Sequence, residues 1–246
     1  MRIAVQFRCA AFALLAALGA TAAWAGPPYQ TDDPEPTDLH HWEIYGFGTA
    51  DGRGSTLDGA AGFDLNYGAV KDVQLTATLP LAFSHAPDSG GRSGLGDLEI
   101  GVKYRFVNDE KSAVQAAIFP RVILPTSTHG LGGTRTRLLL PLWLQKDFGA
   151  TSVFGGGGYL INPGAGNRDV WQAGLAVTHQ FDDKLSVGTE VTYQTRDMVG
   201  GASATGANIG LIRKLGGPFS LLAAGGPSFS AGRTSYHSYL ALALNY

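Results

Sequence analysis

The chain has 246 residues, of which 44% are apolar and only 15% are charged, and it contains 35 glycines. Soluble globular domains average roughly 25% charged residues and about 7% glycine, so this composition is unusual for a cytosolic enzyme and too apolar for a disordered chain. A formal net charge of −2 without a basic block argues against a nucleic-acid partner. The single cysteine excludes a disulfide framework and a cysteine-rich metal site.

The first 25 residues are predicted to be a cleaved signal peptide. Arg2 and Arg8 form a positive n-region, an apolar run covers Ala10–Ala20, and Ala23-Trp24-Ala25 places small residues where a signal peptidase cuts. The apolar run is shorter than the roughly 20 residues that a membrane helix needs. The protein is therefore expected to be exported, either as a soluble periplasmic protein or as an outer-membrane barrel.

Residues 26–40 are predicted to form an extended arm on the periplasmic side or inside the lumen of a barrel. This segment holds four prolines and four acidic residues, and proline fixes φ and removes a backbone donor. Its central motif is Thr31, Asp32, Asp33 and Pro34. The motif is interpreted either as a plug, a cation site or a contact for the assembly machinery, or as a solvated arm without a specific role.

Strict alternation of apolar and polar residues begins near His41 and predicts β-strands. The clearest examples are residues 98–106 and the last ten residues, where Leu240, Leu242 and Leu244 share one face. Twelve strands are predicted, at about 41–50, 55–68, 72–85, 95–107, 112–125, 135–148, 151–162, 168–181, 184–196, 204–215, 218–230 and 235–246. The fold class is therefore all-β.

Several features favour a twelve-stranded antiparallel transmembrane β-barrel over residues 41–246 rather than a periplasmic sandwich. The strand count is even, tight and longer connections alternate, and aromatic residues lie near strand ends, as in bacterial outer-membrane barrels. Both termini then lie on the periplasmic side. The expected partners are outer-membrane lipid and the barrel-assembly machinery, which would recognise the last strand ending in Tyr246. The expected location is the bacterial outer membrane.

The polar faces of the predicted strands supply candidates for the lining of a solute pathway. Twelve strands lie between the eight that side chains fill and the sixteen that leave an aqueous channel, so a narrow lumen is expected. Charge pairs of mixed sign either seal such a lumen or line a selective path. The candidates are Asp58, Asp64, Glu99, Lys103, Arg105, Arg121, Glu190 and Arg196.

A lipid hydrolase is the enzyme hypothesis that the sequence allows. Ser84 and His85 are adjacent on a predicted strand, so their side chains point to opposite faces. His237 shares a face with Ser235 but has no acidic residue close in sequence, and there is no Gly-x-Ser-x-Gly elbow. The His40-His41 pair has no second ligand cluster. No catalytic residue, metal site or cofactor is therefore predicted.

Two short runs resemble a family of bacterial outer-membrane barrels named for the MetA pathway of phenol degradation. They are Thr31-Asp32-Asp33-Pro34 followed by His41-Trp42-Glu43, and Gly94-Leu95-Gly96-Asp97-Leu98. The resemblance implies an outer-membrane barrel connected with uptake of hydrophobic or aromatic compounds. The resulting prediction is a channel or transporter for small solutes, including aromatic or hydrophobic ones. A closed-lumen structural or binding barrel and an outer-membrane lipid hydrolase are the alternatives.

Overall fold

The computed structural model describes residues 27–88 and 90–246, so the predicted signal peptide lies outside the described residues. Its strand segments are β1 (Trp42–Arg53), β2 (Thr56–Val70), β3 (Val73–Ala86), β4 (Gly90–Leu95), β5 (Leu98–Asp109), β6 (Val114–Ile118), β7 (Arg121–Leu124), β8 (Arg137–Phe148), β9 (Thr151–Ile161), β10 (Val170–Asp182), β11 (Leu185–Gln194), β12 (Ala204–Gly216), β13 (Phe219–Ser230) and β14 (Arg233–Asn245). No helix that is long and apolar enough to span a membrane occurs among those residues.

Two barrel strands are each divided into two segments. Both β4 and β5 pair with β3, but between the pairs Leu81–Leu95 and Thr78–Glu99 three residues oppose two, which is a β-bulge. The segments β6 and β7 both pair with β5 and with β8, and they are separated at Phe119–Pro120. Pro120 has no N–H to donate to the ladder. The segments therefore make twelve barrel strands.

The sheet closes on itself and leaves no edge. Each barrel strand pairs with its neighbours in the chain, and β1 pairs antiparallel with β14. The seam continues beyond β14, where the backbones of Trp42 and Tyr246 exchange hydrogen bonds of 2.7 and 3.1 Å. Closure satisfies the backbone groups that hydrocarbon cannot satisfy. The predicted twelve-stranded antiparallel β-barrel is confirmed.

The wall is apolar on its outside. In β14, Leu240 and Leu242 are 57% and 48% exposed, whereas the intervening Ala241 is 2% exposed and faces inward. The same alternation runs along β10, where Trp171, Leu175 and other large apolar side chains point outward. Such a continuous exposed apolar surface is incompatible with water and fits the acyl chains of a bilayer.

A charge placed on this outer face should destabilise the barrel according to its depth. Leu240→Arg, near the middle of β14, is expected to cost about 2–4 kcal/mol, and Tyr236→Arg, near the end of the same strand, about 0–1 kcal/mol. The measurement is the free energy of unfolding by denaturant in lipid vesicles. Equal costs for the two variants would contradict the lipid-facing assignment.

The strand boundaries differ from the sequence prediction mainly at one end of the barrel. We call this end the loop end, and the end at which β1 begins and β14 ends the turn end. Connections predicted at 51–54, 86–94 and 231–234 are shorter, because strands continue to Arg53, restart at Gly90 and restart at Arg233. In the opposite sense, β11 stops at Gln194, so the predicted strand position of Arg196 is wrong. This arginine lies exposed in the following connection.

Candidate functional site

The N-terminal arm lies inside the barrel and crosses its lumen. The Tyr29 hydroxyl donates to the Gly210 carbonyl on β12 at 3.0 Å, and the Thr37 amide donates to Gln74 Oε1 on β3 at 2.8 Å. Between these points the arm contacts Lys103 on β5, and β5 and β12 lie six barrel strands apart in either direction around the ring. The arm therefore connects opposite walls.

Glu190 on β11 anchors the first part of the arm. Its two carboxylate oxygens accept hydrogen bonds from the backbone N–H groups of Gln30 at 3.0 Å and Thr31 at 2.8 Å. Asn208 Nδ2, on the neighbouring β12, donates to the same carboxylate at 2.8 Å. The Glu190 side chain is 1% exposed. A buried carboxylate needs such donors, since burial without them is costly.

Lys103 holds the middle of the arm. Its Nζ lies 3.0 Å from Asp32 Oδ1 and 3.7 Å from Asp33 Oδ1, and it donates to the Glu35 carbonyl at 3.2 Å. The ammonium also lies 5.1 Å from the centroid of the Phe119 ring. Because Lys103 is 4% exposed, the pairing with Asp32 compensates a buried ammonium group, and the fully buried Asp33 lies beside the pair.

Glycines leave room for the arm on the wall. A Cβ on Gly174 of β10 would contact the Thr31 hydroxyl, and a Cβ on Gly210 of β12 would lie 2.7 Å from the Tyr29 ring. Both glycines face the lumen. Their missing side chains let the arm lie close to the strand backbone, which is one of the uses of glycine within a strand.

Gly174→Val should therefore displace the arm while leaving the wall intact. Overpacking typically costs about 1–3 kcal/mol, and here the added side chain collides with Thr31, so the cost weakens the docking of the arm. The only cysteine in the sequence is Cys9, so a Cys9→Ser, Thr31→Cys variant would report arm exposure through its rate of reaction with a water-soluble thiol reagent, because Thr31 is 1% exposed in the docked arm. The matched control is Gly48→Val, because a Cβ at Gly48 meets nothing within 4 Å. Equal rates of cysteine modification in Gly174→Val and Gly48→Val would contradict the contact between Gly174 and the arm.

Two cavities lie beside the arm. One of about 210 Å³ lies toward the loop end and is lined by Thr31 of the arm and by His237, Asp51 and Trp143 of the wall, among others. The other, of about 150 Å³, is lined by Asp32 and Glu35 of the arm and by wall residues of β1, β2, β3 and β5. Gln30 borders both cavities. The arm thus separates two hollow parts of the lumen.

The wall has a further aromatic group beside the larger cavity. The Trp143 side chain is 2% exposed and lies on the inner face of β8. A Cβ on Gly156 of β9 would lie 3.0 Å from the Trp143 ring. The run Gly155–Gly158, which continues a strand, thereby admits an indole ring into a narrow barrel.

Most of the predicted pathway residues face the lumen, and several are paired. Arg121 lies 3.1 Å from Glu99, and Arg105 lies 2.7 Å from Asp72, which the sequence prediction did not include. Asp64 accepts a hydrogen bond from Thr78. The remaining members lie nearer the ends: Asp58 is exposed at the loop end, opposite Asp51, and Arg196 is outside the strands.

An acidic residue that the sequence prediction missed fixes the longest connection, residues 125–136. Asp97 lies in the β-bulge, and its carboxylate accepts hydrogen bonds from the backbone of Ser127 at 3.2 Å and of Gly133 at 2.7 Å. Arg137 at the start of β8 pairs with it at 2.8 Å. Asp97 was assigned to a regular strand, and only the unequal pairing of β3 with β4 and β5 exposes its role.

The arrangement around His237 does not complete a hydrolytic triad. Its Nδ1 lies 2.9 Å from Asp51 Oδ1, so an acidic residue from the other end of the chain orients the imidazole. Among residues 27–88 and 90–246, however, no serine hydroxyl is hydrogen-bonded to this ring, and Ser235 instead contacts the Ser228 carbonyl. The same residues contain no group of three His, Cys, Asp or Glu side chains that could hold a metal ion.

Burial raises the pKa of two carboxyl groups of the arm. Desolvation raises the pKa of Asp33 from 3.8 to about 8, against the opposing attraction of Lys103. Desolvation likewise raises the pKa of Glu35 from 4.5 to about 7, against Arg105. A raised pKa in the docked arm means that docking is favoured by protonation. This contribution is complete below pH of about 4 and is lost as the pH rises through about 8.

Arm exposure should consequently increase between pH 5 and pH 8. The expected result is faster modification of Thr31→Cys at pH 8, after normalisation to an exposed reference cysteine, Glu110→Cys, because thiol reactivity itself depends on pH. Adding Asp33→Asn and Glu35→Gln should remove the dependence. Persistence of the same dependence in that variant would assign it to other groups.

Similar proteins share the fold but little sequence. No family model and no curated protein matches this chain. The COG4313 outer membrane channel from Pseudomonas putida F1 is 14% identical, with a TM-score of 0.71 over 91% of this chain and 100% of that one. The KdgM porin in complex with disordered oligogalacturonate is 9% identical, with a TM-score of 0.56 over 81% of this chain and 97% of that one. The CymD monoaromatic hydrocarbon channel is 9% identical, with a TM-score of 0.51 over 83% of this chain and 87% of that one. These likenesses establish an outer-membrane barrel fold.

Proposed function

We propose that the protein is an outer-membrane channel for small solutes whose lumen is obstructed by its own N-terminal arm. The observation that carries this proposal is the hollow interior: cavities of about 210 and 150 Å³ lie on the two sides of a segment that is bonded to the wall but is not part of it. A segment held by side-chain contacts can be displaced without breaking the barrel ladder. Its displacement would join the cavities.

The solute class is proposed to be small molecules, including aromatic ones. Support comes from the resemblance of the Thr31–Pro34 and His41–Glu43 runs to the phenol-degradation family, and from the fold shared with a monoaromatic hydrocarbon channel. The buried Trp143 beside the larger cavity and the Phe119 ring beside the smaller one offer aromatic surfaces within the lumen. The cellular location proposed with this function is the outer membrane, with the loop end outward.

The rival function is a closed barrel with a structural or binding role. The specific observation in its favour is the number of buried bonds that hold the arm, at Glu190, Lys103 and Gln74. The two functions differ in what happens when the arm is loosened. A channel then conducts more, whereas a closed barrel only loses stability.

Planar-bilayer recording and liposome swelling test the proposal. The purified protein and its Gly174→Val variant are compared, with arabinose as the swelling solute and Gly48→Val as the control. The expected result is a small conductance in the native protein and a larger one in Gly174→Val. No conductance and no swelling with either protein would overturn the channel and leave the closed barrel.

A further inference from the structure

In the described part of the chain, the basic side chains that face the lumen between its two ends lie in ion pairs or other contacts, whereas Arg92, on the inward face of β4, lies exposed at the loop end. Lys103 lies 3.0 Å from Asp32, Arg121 lies 3.1 Å from Glu99, and two further pairs join Arg105 to Asp72 and Arg137 to Asp97 at 2.7 and 2.8 Å. Lys214, which faces inward near the turn end, also interacts with another group. Each of these cations therefore offers little attraction to a passing anion.

Acidic side chains remain in excess beside them. Glu43 and Asp64 face the smaller cavity and, within the described part of the chain, neither has a basic group within ion-pair distance. The hydroxyls of Tyr45 and Thr78 donate to Glu43 and Asp64 respectively, and both donors are neutral. Glu35 of the arm borders the same cavity. The uncompensated charge along this part of the lumen is negative.

Aromatic surfaces accompany these carboxyl groups. Tyr45 and Phe119 line the smaller cavity, and Phe119 already lies under two cations, with Lys103 Nζ at 5.1 Å and the Arg121 guanidinium carbon at 4.5 Å from its centroid. A ring face attracts cations, including organic ammonium groups, and does not attract anions. Charge and aromatic lining thus favour the same sign of solute.

Resting on the channel function proposed above, we propose that the lumen selects cations, and that among small aromatic solutes it passes those carrying an ammonium group in preference to those carrying an acidic group. Glu43 and Asp64 are the residues that determine this selectivity. In a narrow pore with low-dielectric walls, fixed charge of one sign raises the local concentration of the opposite ion.

The first test is the reversal potential in a planar bilayer with a potassium chloride gradient at pH 7.5. For both the native protein and Gly174→Val, the current should reverse at a potential closer to the potassium equilibrium potential than to that of chloride. The Glu43→Gln/Asp64→Asn variant should lose about half or more of the potassium-over-chloride preference, because it removes the two nearest unpaired charges. The control is Glu110→Gln, which alters an exposed turn residue outside the lumen. Chloride preference in the native protein, or an unchanged ratio in the double variant, would overturn the proposal.

The second test uses organic ions of matched shape. Liposomes that contain the protein are assayed for swelling in benzyltrimethylammonium chloride and in sodium benzenesulfonate, both permanently charged over the accessible pH range. Faster entry of the ammonium salt is expected, and the difference should shrink in Glu43→Gln/Asp64→Asn. Conduction with faster entry of the sulfonate would overturn selectivity alone. Absence of any conduction, including in Gly174→Val, would overturn the channel function itself and the selectivity with it.

Discussion

Glu190→Ala is expected to release the first part of the arm and to raise the single-channel conductance. The substitution removes the acceptor of two arm N–H groups, and hydrogen bonds to a charged partner are each worth about 1.5–3 kcal/mol. A combined loss of about 3–6 kcal/mol corresponds to a change of roughly 10²–10⁴ in the ratio of docked to released arm. The measurements are conductance and the reaction rate of Thr31→Cys with a water-soluble thiol reagent.

The control for this experiment is Val191→Ala. Val191 is the next residue of β11 and is 55% exposed on the outer face, so its truncation alters the same strand without touching the arm. Cysteine reactivity and conductance that are the same in Glu190→Ala and Val191→Ala would show that Glu190 does not hold the arm.

Lys103→Met is expected to be the most destabilising single substitution in the lumen. It leaves the partly buried Asp32 and the fully buried Asp33 next to each other without their cation, and breaking a buried pair typically costs about 3–5 kcal/mol. The expected readouts are a lower thermal midpoint in detergent, followed by tryptophan fluorescence, and an exposed arm.

The matched rescue is the triple variant Lys103→Met, Asp32→Asn and Asp33→Asn. Removing the two carboxylates together with the ammonium leaves no unpaired charge, so most of the lost stability should return. A triple variant as unstable as Lys103→Met alone would mean that packing of the lysine stem, and not its charge, holds the arm.

The sequence predicts the wall well because period-two alternation reports directly on a two-faced strand. In β14 the outward Leu240 and Leu242 and the inward Ala241 follow that pattern, and the turn residues delimit the strands. Alternation does not report irregularities, so the bulge at Gly96–Leu98 was missed. One extra residue there restores Glu99 to the inner face, since a shift of one position exchanges the faces of a strand.

The arrangement of the lumen could be predicted only in part. Inward-facing Lys103 and Glu190 follow from strand alternation, but their partners in the arm are 71 and 159 or 160 residues away and show no periodic signal. The composition of the arm motif Thr31–Pro34 is compatible with both a solvated and a plugging role, so it does not choose between them. The Asp51–His237 contact spans 186 residues and arises only when the first and last strands meet.

The arm also stabilises the shape of the barrel. By tying β12 to β5 across the ring, it holds two opposite sides of the cross-section at a fixed separation, and the free energy of those ties adds to the resistance of the barrel to heat and denaturant. Under the channel function proposed above, permeability and stability therefore oppose each other. A substitution that strengthens the bonds of the arm would stabilise the barrel and slow the passage of solutes. A substitution that weakens them would speed that passage and lower the stability.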